Sequence, residues 1–179
     1  VAKGKKLMQQ YANVLARIEK TYGVPAPILI AIWGMETDFG AGSGNMSTFR
    51  SLATLAFDCR RSAFFTDQLM AALTIVQRGD LAPGDMKGAW AGEPGQTQFL
   101  PTSYVRFAVD FDGNGHADLR HSPADVLAST ANYLKGYGWQ RGGSWEEGSA
   151  NFNVMRQWNK AEVYAKSAAL FADKLVGKQ

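Results

Sequence analysis

Apolar positions along the chain fall mostly at helical spacing. Leu7, Tyr11, Val14, Leu15, Ile18 and Tyr22 line one face of a first helix, which Gly23 closes. Pro25 and Pro27 mark the start of a second helix, where a missing N–H does little harm; it is predicted to run through Glu36 and fray at Gly40. "GAGSGNMSTF" reads as a loop by its glycines. A further helix is predicted from near Ser62, with Phe65, Leu69, Leu73 and Val76 on its inner face and Gly79 as its stop. "LAPGDMKGAWAGEPGQTQF" carries four glycines and two prolines, so a long irregular segment is expected there, and such segments in compact domains are usually functional. Helices follow at about 101–108, 123–136 and 160–175. No apolar alternation is long enough to predict a strand. The pattern is all-α with long loops.

Composition sharpens this only in part. A chain of 179 residues suits one domain, here taken as 1–179, and that length can bury most of its apolar surface. The apolar share of 46% and charged share of 20% are those of a globular protein. The longest apolar run, Ile28 to Met35, is far too short to span a bilayer. No secretory signal is visible and the chain opens without methionine, as a processed or trimmed protein would. Cys59 stands alone, so an internal disulfide is excluded. The net charge of +3 is spread along the chain without the basic stripe of a nucleic-acid binder, which leaves a weak preference for anionic partners.

The candidate chemistry centres on "LIAIWGMETDFG", residues 29–40. Glu36 follows eight uncharged, mostly bulky residues, with Ile32 and Trp33 about one turn before it. A carboxyl in such company has its ionised form desolvated and its pKa raised, as a general acid requires. The plain alternative is a solvated glutamate near a helix end. Asp38, two residues on, points to another face and is not a close partner. A conventional glycosidase needs two carboxylates flanking the bond, and only one good candidate is visible.

"YGVPAPILIAIWGMETDFG", "SLATLAFDCRRSAFF", "GAWAGEPGQTQFLPTSYVRFAVDFDGNGHADL", "SPADVLASTANYLKGYGW" and "VMRQWNKAEVYA" occur in this order and cover most of the chain. Jointly they resemble the lytic transglycosylases of the MltB type. The resemblance implies a lysozyme-like helical fold and cleavage of the β-1,4 bond between N-acetylmuramic acid and N-acetylglucosamine in peptidoglycan. It also implies that Glu36 is the catalytic acid, acting alone. Protonated Glu36 would protonate the leaving oxygen. As carboxylate it would then deprotonate the muramic acid 6-hydroxyl, which closes a 1,6-anhydro ring. The nucleophile is intramolecular, so no second carboxylate need position a water.

The same resemblance implies substrate-binding roles for Gln98, Tyr133, Trp158, Asn159, Tyr164, Arg60 and Arg61. Each has a bland alternative: a solvated amide for Gln98, core stripes for Tyr133 and Tyr164, an N-cap for Asn159 and a solvated pair for the arginines. Three positions depart from the family pattern. "AGEPG" stands for the usual "AGAMG" and adds Glu93. Ala89 replaces a serine nine residues before Gln98. Trp158 replaces a tyrosine, losing its phenol hydroxyl.

"DFDGNGHADLRH", residues 110–121, matches the first half of a calcium loop, with Asp110, Asp112 and Asn114 at alternating ligand positions, Gly115 at the turn and the His116 carbonyl next. His121 occupies the place of the closing glutamate. The family closes its similar loop with an aspartate that corresponds to Asp125, one residue further along here. Asp125 also reads as part of a capping box, Ser122-Pro-Ala-Asp125. A structural calcium or sodium ion is expected, with no cofactor needed for chemistry. Two histidines and no nearby cysteine exclude a zinc site. The expectation is thus a periplasmic or otherwise extracytoplasmic monomer acting on glycan strands, with no visible membrane anchor. A water-using lysozyme-type hydrolase and a non-catalytic peptidoglycan-binding module are the alternatives.

Overall fold

Helix α3 (Ala26–Thr37) is apolar on every side, and it can be so only by running through the middle of the molecule. Residues Ile28 to Ile32 are fully buried and Trp33 nearly so. The computed structural model describes residues 1–178, and among these α3 packs against α1 (Ala2–Gln10), α2 (Ala12–Tyr22), α7 (Pro123–Gly136) and α9 (Glu162–Leu175). The fold is all-α in character, as the apolar spacing predicts. No described helix is long and apolar enough to cross a membrane.

The N-terminal stripe forms two helices instead of one. The chain bends at Tyr11 (φ −100°, ψ 16°), whose ring meets Trp33 edge-on at 5.9 Å. The bend lets both segments follow the surface of α3. Gly4 allows the closest approach: a Cβ there would stand 2.8 Å from Leu175 and 3.3 Å from Ile30. Gly23 ends α2 in the left-handed region, as expected of a glycine C-cap.

α4 (Thr48–Phe57) was not legible as a helix, and its first residues fall within the stretch read as loop. Ser47 caps it, accepting the Arg50 N–H at 3.3 Å. α4 packs against α5 (Ser62–Gln77). Of the predicted inner face of α5, Phe65 is buried and Leu69 and Val76 pack partly buried against the core, but the buried positions beside Phe65 are Gln68, Ala72 and Ile75. A polar Gln68 turns inward because its Oε1 accepts the backbone N–H and hydroxyl of Thr102, satisfying the start of α6 (Pro101–Phe107). Leu73, on the opposite side, is exposed.

The long segment between α5 and α6 is irregular, as expected, but it is not free. A short 3-10 turn (Pro83–Asp85) precedes β2 (Lys87–Gly88), which pairs antiparallel with β1 (Met46–Ser47). Gly88 also bridges to Pro94. α8 (Ala150–Trp158) escaped the sequence reading, and α9 starts two residues later than predicted.

Candidate active site

Glu36 sits in the last turn of α3, where the helix meets the irregular segment. Three hydrogen bonds pin that junction. The Trp33 indole N–H donates to Gln96 Oε1 at 2.9 Å, Gln96 Nε2 donates to the Arg120 carbonyl at 2.8 Å, and the Thr37 hydroxyl donates to the Gln96 carbonyl at 2.5 Å. Asp38 and Phe39 then turn into the left-handed region, so the chain leaves the helix abruptly. Asp38 pairs with Lys3 at 3.0 Å on the surface and takes no part in the site.

A cavity of about 320 Å³ opens beside this junction, and Glu36, Gln98, Tyr133, Trp158 and Asn159 line it with Glu93. Five of the residues proposed from sequence thus share one space. Tyr164 stands at the carboxyl itself: its hydroxyl donates to Glu36 Oε1 at 2.6 Å, and the Trp158 indole N–H donates to the same oxygen at 2.9 Å. The tryptophan that replaces the family's tyrosine therefore still offers a donor. Burial raises the Glu36 pKa above the ordinary carboxyl range; the Tyr164 and Trp158 hydrogen bonds pull it down, and the charge of Glu93 adds to the rise. Trp33, expected to shield the acid, instead packs against Tyr11 and Phe39 while bonding Gln96.

The cavity wall is an aromatic cluster. Trp158 meets Tyr133 at 4.8 Å and Phe99 at 5.2 Å, both edge-on. Tyr133 is nearly buried and its hydroxyl donates to the Gln157 carbonyl at 2.8 Å, so it serves both the core and the cleft. Asn159 is likewise double: it lines the cavity, and its Oδ1 accepts the Ala161 N–H at 3.0 Å just before α9. Gln98 is held at a positive φ of 51°, unusual for a residue with a side chain.

Arg60 and Arg61 lie elsewhere. Arg60 is exposed and forks onto Asp58, with a closest contact of 2.7 Å, while Arg61 stacks over Phe64 at 4.3 Å. Neither lines the cavity that holds Glu36. Gln96 and Thr37 are the positioning residues that sequence reasoning missed. Their signal was weak, since a glutamine in a glycine-rich loop looks solvated, and only burial reveals it.

The acidic loop folds around its own carboxylates. Oxygens of Asp110, Asp112 and Asp125 lie within 4.8 Å of one another. Asp110 accepts the N–H groups of Gly115, Gly113 and Asn114, the Gly115 bond above all holding its carboxyl below the usual range. The extra residue before Asp125 does not pull that side chain away: its Oδ1 accepts the Phe111 and Asp112 N–H groups at 2.8 and 3.2 Å. The Asn114 side chain accepts the His116 N–H at 2.9 Å. His121 turns from the loop toward Asp118 at 2.9 Å. Only half of the capping box forms, with Ser122 Oγ accepting the Asp125 N–H. Three hard carboxylate oxygens in one place suit calcium or sodium better than a softer metal.

A family model described as the transglycosylase SLT domain matches residues 1–150. The membrane-bound lytic murein transglycosylase B of Escherichia coli (strain K12) is 39% identical over 143 residues, covering 79% of this chain and 39% of that protein. The chain thus spans about two-fifths of the curated relative's length. SltB3 from Pseudomonas aeruginosa, solved in complex with NAG-anhNAM-pentapeptide, superposes with a TM-score of 0.94 at 34% identity, over 99% of this chain and 63% of that one. The lytic transglycosylase SLT35 of Escherichia coli, solved in complex with calcium, gives a TM-score of 0.88 at 27% identity, over 97% and 73%. The helical fold implied by the resemblance is therefore present from end to end of the described chain. With its first 150 residues matched by the family model and most of that span matched again in a relative, the chain belongs to the transglycosylase SLT domain family.

Proposed function

We propose that this chain is the catalytic domain of a lytic transglycosylase. It cuts the β-1,4 bond between N-acetylmuramic acid and N-acetylglucosamine in peptidoglycan and leaves a 1,6-anhydro-muramic end. The observation that carries this reading is Glu36: a desolvated carboxyl on a cavity wall, with one oxygen already taken by two donors. Because Oε1 accepts from both the indole and the phenol, the proton of the acid form belongs on Oε2. Burial favours that acid form, which gives its proton to the leaving glycosidic oxygen. The carboxylate so formed is steadied by the same two hydrogen bonds until it takes the proton of the muramic 6-hydroxyl, whose oxygen attacks the anomeric carbon. One group thus serves as acid and then base.

Gln98, Tyr133, Trp158 and Asn159 form the wall that holds the sugar, with Trp158 and Tyr133 offering aromatic surface and Gln98 and Asn159 offering amides. Arg60 and Arg61 would act on substrate carboxylates only outside this cavity. The complexes of SltB3 with peptidoglycan fragments support the substrate class. A substrate in the cell wall implies an extracytoplasmic site of action, and nothing in the reaction requires more than one copy of the chain. A calcium or sodium ion, held by Asp110, Asp112 and Asp125, would fix the 110–125 loop and take no part in the chemistry.

Replacing Glu36 by Gln tests the reading. Release of anhydro-muropeptides from purified wall, followed by mass spectrometry, should fall by about 10²–10⁴-fold, with wall binding retained. Undiminished cleavage would overturn the assignment, and reducing ends in place of anhydro ends would favour the water-using hydrolase.

A further inference from the structure

Glu36 is not the cavity's sole carboxylate. Glu93 lines the same space, at a position where the resembling family usually carries no acid. Its backbone is tightly held. The Glu93 carbonyl accepts the Ala89 N–H at 3.1 Å, Gly88 bridges to Pro94, and a Cβ on Gly88 would stand 1.8 Å from that carbonyl oxygen. Its side chain, in contrast, is not satisfied. Oε2 is screened from water without a hydrogen-bond partner. Among the described residues, no lysine, arginine or histidine pairs with the Glu93 carboxylate within 4.0 Å. A carboxylate left this way is costly, and its charge acts across the cavity that Glu93 lines, where it is felt at Glu36.

A neutral sugar supplies no cation at rest, but it becomes one during the reaction. As the glycosidic bond breaks, positive charge develops on the anomeric carbon and ring oxygen. We propose that Glu93 is a second catalytic carboxylate of this cleft, stabilising that positive charge while Glu36 alone moves protons. The inference rests on the transglycosylase reading above. The bond between the anomeric carbon and the leaving oxygen breaks with its electron pair on that oxygen, which takes the Glu36 proton. The ring holds the positive charge beside Glu93 until the 6-hydroxyl oxygen bonds to the anomeric carbon and its proton passes to Glu36. Glu93 forms no bond and exchanges no proton. Its charge also helps Glu36 keep its proton before the reaction.

Glu93→Gln and Glu93→Ala test this with a purified muropeptide. Losing one preorganised electrostatic group should lower kcat by about 100-fold in both variants, with KM and the anhydro product unchanged and the melting temperature not lowered. The groups facing Glu36 are Tyr164, Trp158 and Glu93; with the Glu93 charge gone, the alkaline limb of the pH profile should move down. Glu93→Gln keeps the side-chain shape, so it reads the same quantities should Glu93→Ala fold poorly. An unchanged kcat overturns the inference. So does a higher KM at constant kcat, which marks ground-state binding. A wild-type mixture of reducing and anhydro ends that becomes all anhydro in the variants would make Glu93 a water-activating base, and overturns it as well. If Glu36→Gln is inactive and the wild type yields anhydro ends, each of these results removes the Glu93 role alone. If the wild type yields no anhydro ends, the transglycosylase reading falls first.

Discussion

Replacing Tyr164 by Phe would delete the 2.6 Å hydrogen bond that its hydroxyl donates to Glu36 Oε1 while keeping its ring in place. A hydrogen bond to a charged acceptor contributes about 1.5–3 kcal/mol. The Trp158 N–H remains on the same oxygen at 2.9 Å, so the lower figure applies. The Glu36 carboxylate, and the base step that depends on it, would lose about 1.5 kcal/mol, which is roughly tenfold in rate. The sign of the pH effect also follows. Tyr164 favours the ionised form of Glu36, so its removal raises the Glu36 pKa further and moves the alkaline limb of activity to higher pH. Steady-state release of anhydro-muropeptide, measured across pH by liquid chromatography and mass spectrometry, reads both quantities. An unchanged kcat, or an alkaline limb that moves down, would refute the reasoning.

Three further outcomes are expected. Folded Glu36 holds its proton more tightly than unfolded glutamate, so it favours folding below about pH 4.3, and that contribution is lost as pH rises through the folded value. Glu36→Gln should therefore melt above the wild type near neutral pH and lose that advantage in acid, as calorimetry can check. Calcium should raise the melting temperature by binding the folded state, about 2.7 kcal/mol at a hundredfold excess over Kd; Asp125→Asn should lose this response. Gly88→Ala places a Cβ 1.8 Å from the Glu93 carbonyl oxygen, so it should cost about 3 kcal/mol of stability by chemical denaturation, and cleft activity with it.

Elements with a continuous apolar stripe and a clear start were legible in the sequence. α3, α6 and α7 have proline near their first residue, and each lies close to where the pattern put it. α4 and α8 were not legible, because each is short and amphipathic, and the serine caps that start them sit among other small polar residues. The reading of α5 failed differently. Gln68 takes a buried position on the inner face because it satisfies α6, while Leu73 is left exposed, and no period within α5 itself reveals a neighbour's need. At the site, Glu36 was legible from its apolar company, but its true partners come from α8 and α9. Resemblance, not periodicity, supplied Trp158 and Tyr164. Gln96 remained hidden, since its two side-chain bonds join groups 63 and 24 residues away.

The separation between Glu36 and its donors also bears on how the protein comes into being. Trp158 and Tyr164 lie 122 and 128 residues after the acid they hold. During synthesis, a chain that has passed Glu36 carries its future acid without either donor until residues 158–164 emerge and α9 docks on α3. Contacts of such long sequence separation form late, since loop closure must precede them. A site assembled in this order is complete only after the scaffold around it is nearly complete, so a chain interrupted earlier carries Glu36 but not the site.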